Sequence, residues 1–197
     1  MTNDNSSTVY PAIQTTVSAR LFVQTGRRPR NTEEQAAYLR AYLLKSEACP
    51  DEIVEACASD MAILISGDTC ILIPVPDCKG GTGSNLRLAL SIADHTKGKA
   101  QVMDILTRSR PTESQCQRHR RGEAALTPEE LKITVRPHKP FTLTKIYFVD
   151  NVTTSGATIQ ACRDALGFGT GLVYAEALRR HSMNFYPVPG RTGSSAA

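Results

Sequence analysis

Residues 146–158 read Ile146-Tyr-Phe-Val-Asp-Asn-Val-Thr-Thr-Ser-Gly-Ala-Thr158, and this stretch constrains the chain more than any other. Four apolar residues rich in β-formers lead into an acid, an amide, a cluster of hydroxyls and a glycine. Helix-compatible sequence follows at once, from Ala157 to Leu166. That order suits an anion site at the end of a buried strand. The strand fixes Asp150, the hydroxyls and backbone N–H groups wrap an anion, and the next helix points its positive end at it. Gly156 permits close backbone approach or a positive φ. The same residues also fit an ordinary strand–turn–helix, in which Thr, Ser and Gly serve as turn and capping residues. Anion binding alone, however, does not call for an acid ahead of the loop.

The run resembles the phosphoribosyl-pyrophosphate (PRPP) motif of type I phosphoribosyltransferases. Tyr147, Phe148 and Val149 match the apolar lead of that motif, and Asp150 its first acid. Thr153, Thr154, Ser155, Gly156, Ala157 and Thr158 fall on its 5′-phosphate loop. Asn151 stands where the family usually has a second acid. The resemblance assigns Asp150 and Asn151 to the reacting end of the substrate. Asp150 would accept from ribose hydroxyls, whereas Asn151 can bond a hydroxyl but supplies neither charge nor a base.

A second loop follows an earlier apolar run. Thr69 to Val75 is continuously apolar apart from its first residue, as expected of a strand buried on both faces. Asp77, Cys78, Lys79, Gly80 and Gly81 come next, before a helix from Ser84 to Ala93. The glycines let backbone amides face outward towards an anion, and Lys79 adds a positive charge. Taken alone the segment also fits a plain Gly-rich turn. Cys78-Lys79-Gly80-Gly81 is similar to the pyrophosphate loop of the hypoxanthine-guanine enzymes of the family. Pro74-Val75-Pro76 and Asn85 look more like its ComF branch. The resemblance makes residues 77–81 the pyrophosphate loop.

Between positions 108 and 121, Arg108, Arg110, Arg118, Arg120 and Arg121 face only Glu113. A solvated surface loop, a nucleic-acid patch and a lid over polyphosphate all fit such a run. In the family a mobile basic loop closes over PRPP. Arg108, Arg110, Gln115, Arg118 and Arg121 are the residues that the resemblance places in it. Closing a lid over phosphates excludes water and strengthens each charge contact.

Elsewhere the chain reads as alternating strands and helices. Val17, Ala19, Leu21 and Val23 alternate with polar residues, a half-buried strand signal. Thr32 offers an N-cap for a helix reaching about Ser46, and Pro50 opens a second helix to Ala58. Gln101 to Leu106, Ile133 with Val135, and Leu172 to Ala177 are further strand candidates. This order predicts an α/β fold, a mostly parallel sheet flanked by helices, with ligands at the carboxyl ends of the strands. The resemblance adds a small hood from terminal segments and the mobile basic loop.

With 197 residues the chain suits one domain, expected over residues 9–186, with loose ends at 1–8 and 187–197. The formal net charge of +4 suits an anionic ligand but is too small to indicate nucleic acid by itself. No apolar run approaches the roughly 20 residues of a membrane span. Six cysteines without a C-x-x-C pair argue against a zinc ribbon and fit a reducing, cytoplasmic setting.

The activity implied by the resemblance is displacement of pyrophosphate from PRPP by a nitrogen nucleophile, a nucleobase-like acceptor. Mg2+ is the implied cofactor, held through PRPP oxygens and water with no direct protein ligand. The partners are then PRPP and a small-molecule acceptor, with nucleic acid less favoured, no membrane, and a homodimer left open. The alternative is a non-catalytic PRPP- or nucleotide-sensing module of the same fold, regulatory or accessory to DNA uptake. Asn151 and the arginine run favour that alternative.

Overall fold

Cys70–Pro74, buried at every position, forms a central strand, and its side chains divide between two cores. The computed structural model describes residues 16–23, 29–65, 67, 69–114, 117–118, 121–124, 126–141 and 145–178. In chain order these contain β1 (Thr16–Val23), α1 (Thr32–Leu43), α2 (Asp51–Ala62), β2 (Cys70–Pro74), α3 (Gly83–His95) and β3 (Ala100–Val102). They continue with β4 (Leu106–Arg108), β5 (Ile133–Val135), β6 (Ile146–Thr153), α4 (Ala157–Leu166) and β7 (Thr170–Leu178). The strands β1-β7-β6-β2-β3 form one sheet in that order, and every pairing in it is parallel. The α/β architecture is the one that the alternation of strands and helices predicts.

Side chains alternate across a strand, so a sheet covered on both faces needs apolar residues at successive positions. Cys70 and Leu72 of β2, Tyr147 and Val149 of β6, and Leu172 and Tyr174 of β7 join one core with α1, α2 and α3. Ile71 and Ile73, Ile146 and Phe148, and Val173 join the other. Ile159 and Cys162 of α4 cover that second face together with Ile105 and Leu106. Burying a side chain such as Phe148 or Leu72 contributes about 1.5–3 kcal/mol, which is why these runs lie inside.

Several element boundaries depart from expectation for visible reasons. Asn31, not Thr32, caps α1: its side chain accepts from Glu34 N at 2.8 Å while Glu34 Oε2 accepts from Asn31 N at 3.0 Å. This reciprocal pair satisfies two otherwise orphaned donors. The strand expected over Gln101–Leu106 is two strands. Ile105 N donates to Met103 O at 3.1 Å, a tight bend that takes the chain out of the main sheet. Leu106–Arg108 then pairs antiparallel with Ile133–Val135 as a separate two-stranded ribbon. The loose ends expected at 1–8 and 187–197, and most of the terminal hood, lie outside the described residues. Among the described residues, no helix is long and apolar enough to cross a membrane.

Strand order determines where the functional loops meet. From β2 the chain crosses through α3 to β3 at one edge, and from β6 it crosses through α4 to β7 in the opposite direction. The carboxyl ends of β2 and β6 therefore flank the point where the winding reverses, the usual crevice for ligands in open α/β sheets.

Candidate functional site

β6 delivers Asp150 to this crevice. Its Oδ1 accepts from its neighbour's backbone, Asn151 N at 2.8 Å, and from Asn85 Nδ2 at 3.2 Å. No donor meets Oδ2 among the described residues. Asp150 is half-buried by accessible surface, yet protein surrounds the carboxyl closely enough that loss of solvation pushes its pKa up. The Asn151 amide, the Asn85 side chain and the charges of Lys45 and Arg108 oppose that shift. Lys45 follows α1 and is exposed, so the segment between α1 and α2 also borders the site.

Asn151 is 7% exposed. Adjacent residues of a strand point to opposite faces, so its side chain does not share the space that Asp150 occupies. Its contribution to Asp150 is the backbone N–H.

The loop after β6 is built around a left-handed residue. Gly156 has φ 75° and ψ −4°, and an added Cβ would meet nothing within 4 Å. The glycine is therefore needed for its backbone angle, since non-glycine residues resist positive φ. Thr153 is buried, Thr154 and Ser155 are exposed, and Gly156, Ala157 and Thr158 are half-buried. Ala157 N donates to Ser155 Oγ at 3.3 Å and Gln160 N to Gly156 O at 2.9 Å. Among the described residues the amides of Thr158 and Ile159 have no acceptor, as expected of a helix's first turn. The loop thus presents hydroxyls and free amides at the positive end of α4.

The loop after β2 has different internal bonding. Lys79 N and Gly81 N both donate to Asp77 Oδ1, at 2.8 and 3.0 Å. Asp77 N donates to Gly81 O at 2.7 Å and Gly80 N to Asp77 O at 3.2 Å. The amides that the sequence reading turns outward are satisfied within the loop, with the Asp77 carboxylate in the role of an anion. Gly80, at φ 98°, permits the reversal. Cys78 is half-buried, and its carbonyl accepts from Thr112 N at 2.8 Å. Lys79 and Asp77 are exposed.

Of the arginine segment, Arg108 belongs to this site. It ends β4 beside Gly80, its Nη1 donating to Thr112 Oγ1 and Leu131 O at 3.0 Å each and its Nη2 to Pro76 O at 3.4 Å. The half-buried guanidinium touches neutral oxygens only, and its Nε is buried without an acceptor among the described residues. Burial pulls its pKa down, opposed by Cys162, Cys78, Asp150 and Asp77. Arg110 is exposed. Arg118 and Arg121 pair instead with Glu113 and Glu123, at 3.6 and 3.3 Å for Arg118 and 2.5 and 2.6 Å for Arg121. Gln115 lies outside the described residues.

The structure therefore brings Asp150, the 153–158 loop, the 77–81 loop and Arg108 to the carboxyl edge of adjacent strands. Asn85 and Lys45 join them without having been singled out as site residues from sequence. No family model and no curated protein matches the chain.

Proposed function

We propose that the protein is a phosphoribosyltransferase of the type I kind, which binds PRPP at the crevice between β2 and β6 and transfers its phosphoribosyl group to a nitrogen nucleophile. One observation carries this reading. Asp150 stands three positions ahead of Thr153, where a hydroxyl-rich loop with unfilled first-turn amides begins, beside the point where the sheet's winding reverses. The amides and hydroxyls of 153–158 suit a 5′-phosphate. Asp150 Oδ2 is available to ribose hydroxyls, and Arg108 and Lys79 supply positive charge on the pyrophosphate side.

In the reaction the acceptor nitrogen forms a bond to the anomeric carbon as the bond to pyrophosphate breaks, and pyrophosphate leaves with the electron pair. Positive charge develops on the sugar, so catalysis is mostly positioning plus charge stabilisation. The Asp150 carboxylate would stand near that charge, and Arg108 near the charge gained by the leaving group. Mg2+ would arrive with PRPP, held by substrate oxygens and water, and would neutralise pyrophosphate charge. Five described cysteines are free thiols, which supports a reducing, cytoplasmic setting.

A sensor that binds PRPP without turnover is the second reading. It is favoured by Asn151, whose neutral side chain is buried away from Asp150. Calorimetry with PRPP and Mg2+, followed by a pyrophosphate-release assay over a panel of nucleobases, tests both. Binding with base-stimulated release supports the enzyme, and binding without release supports the sensor. Absence of binding, or binding unchanged in Asp150→Asn, removes the PRPP site itself.

A further inference from the structure

Asn85 is the third residue of α3 and is 5% exposed. Its side-chain nitrogen donates twice, to Val75 O at 2.8 Å and to Asp150 Oδ1 at 3.2 Å. Its Oδ1 is buried and meets no donor among the described residues. That unbonded acceptor is a cost which an apolar side chain of similar size would avoid, but such a side chain would take the donor away from Val75 O and from Asp150 Oδ1. The two N–H bonds are thus what the position gains from an amide. One holds the backbone just past β2, at the root of the 77–81 loop. The other holds the acid at the end of β6.

We infer that Asn85 is a positioning residue for Asp150: its amide fixes the Asp150 carboxylate at Oδ1 and leaves Oδ2 facing the crevice for a pair of ribose hydroxyls. This rests on the reading of Asp150 as the acceptor for PRPP's ribose. The geometry supplies the selectivity. Oδ1 is engaged by Asn151 N and Asn85 Nδ2 together, whereas Oδ2 has no donor among the described residues. The same amide bridges the ends of β2 and β6, so the pyrophosphate loop and the ribose acid are held in one register. The charged and titratable groups around Asp150 are Lys45 after α1, Arg108 at the end of β4 and Cys162 of α4. None of these donates a hydrogen bond to its carboxylate, so Asn85 is the one side chain among the described residues that bonds it.

A donor to a carboxylate favours the ionised form. Losing it moves the Asp150 carboxyl further up, and the pH at which Mg-PRPP binding reaches half its maximum moves up with it. A purely structural loss would instead weaken binding by the same factor at every pH. The test measures Mg-PRPP affinity from acid to neutral pH in the unsubstituted protein, in Asn85→Leu and in Asn85→Asp. In parallel, the Asp150 carboxyl is titrated by carbon NMR. The expected result is an upward displacement of the midpoint by at least half a pH unit in both variants, larger in Asn85→Asp, which sets a second acid beside the first. Coincident midpoints with a uniform loss of affinity would overturn the inference. Should neither variant fold, the unsubstituted protein still decides. The Asn85 side-chain N–H resonances must titrate with the Asp150 carboxyl and cease to do so in Asp150→Asn; resonances indifferent to that titration also overturn it. If the unsubstituted protein binds no PRPP, the functional reading fails separately, while the NMR titration still reports whether Asn85 controls Asp150.

Discussion

The Gly81 amide donates to Asp77 Oδ1 at 3.0 Å, across a loop whose Lys79 amide does the same at 2.8 Å. A pyrophosphate that used these amides would have to displace the carboxylate and tolerate its charge. Hydrogen bonds to a charged group contribute about 1.5–3 kcal/mol. Asp77→Ala should therefore raise pyrophosphate affinity by about tenfold, which corresponds to roughly 1.4 kcal/mol. Calorimetry with pyrophosphate and Mg2+ checks this. Unchanged or weaker binding would mean that anions contact the loop elsewhere.

Asp150 has opposite effects on stability and binding. Burial raises its pKa, so the folded chain keeps a proton that the unfolded chain, near the ordinary value of about 3.9, has already lost. Between those two values stability falls as pH rises, and above the raised value the loss is complete. PRPP binding has the reverse sign, because the ionised carboxylate is the acceptor. Asp150→Asn should raise Tm at neutral pH by a few degrees, given about 2–4 °C per kcal/mol at this chain length. It should also abolish the acid limb of PRPP binding. Thermal melts and calorimetry across the same pH range measure both effects, and a variant melting below the parent at neutral pH would contradict the assignment.

The parts of this arrangement that were legible in the sequence are those governed by local rules. The runs at Cys70–Pro74 and Ile146–Val149 are continuous apolar stretches because both sheet faces are covered, and Thr153–Gly156 carries its loop chemistry in its residue types. The Asp77 bonds were within reach too, since an acid two residues before a turn amide commonly accepts from it. Asn85 and Lys45 were not. They lie 65 and 105 positions from Asp150, and only the sheet order brings them to it. The arginine count was misleading about charge in a similar way. Glu123 lies outside the 108–121 run yet pairs with both Arg118 and Arg121.

Gly156 separates fold from binding. At φ 75° any other residue is strained by roughly 1–2 kcal/mol, while the open space around it accommodates a side chain in the unliganded protein. Gly156→Val should fold with a modestly lowered Tm and lose PRPP binding, because its branched side chain would enter the space of the phosphate. Parallel melts and calorimetry test the pair of outcomes. A variant that binds PRPP normally would place the phosphate away from this loop.

The arginines divide by their partners. Arg108 is half-buried against neutral oxygens next to the 77–81 loop, whereas Arg118 and Arg121 are already paired with Glu113 and Glu123. Recruiting the latter two to PRPP would require breaking exposed ion pairs, which are individually weak. Arg108→Ala should then lower PRPP affinity about tenfold or more, the equivalent of one charge-assisted contact of about 1.5–3 kcal/mol. If the segment closes as a lid, Arg118→Ala should lower affinity as well. A Glu113→Gln, Glu123→Gln double variant should raise it by releasing both arginines, and Mg-PRPP should protect the segment from protease. If it is a nucleic-acid patch, Arg118→Ala should leave PRPP binding alone and weaken DNA or RNA binding with a steep salt dependence. Affinities of the three variants for Mg-PRPP and for a short duplex at two salt concentrations separate these cases. Indifference of Arg118 to both ligands would leave Arg108 as the segment's sole contribution to the site.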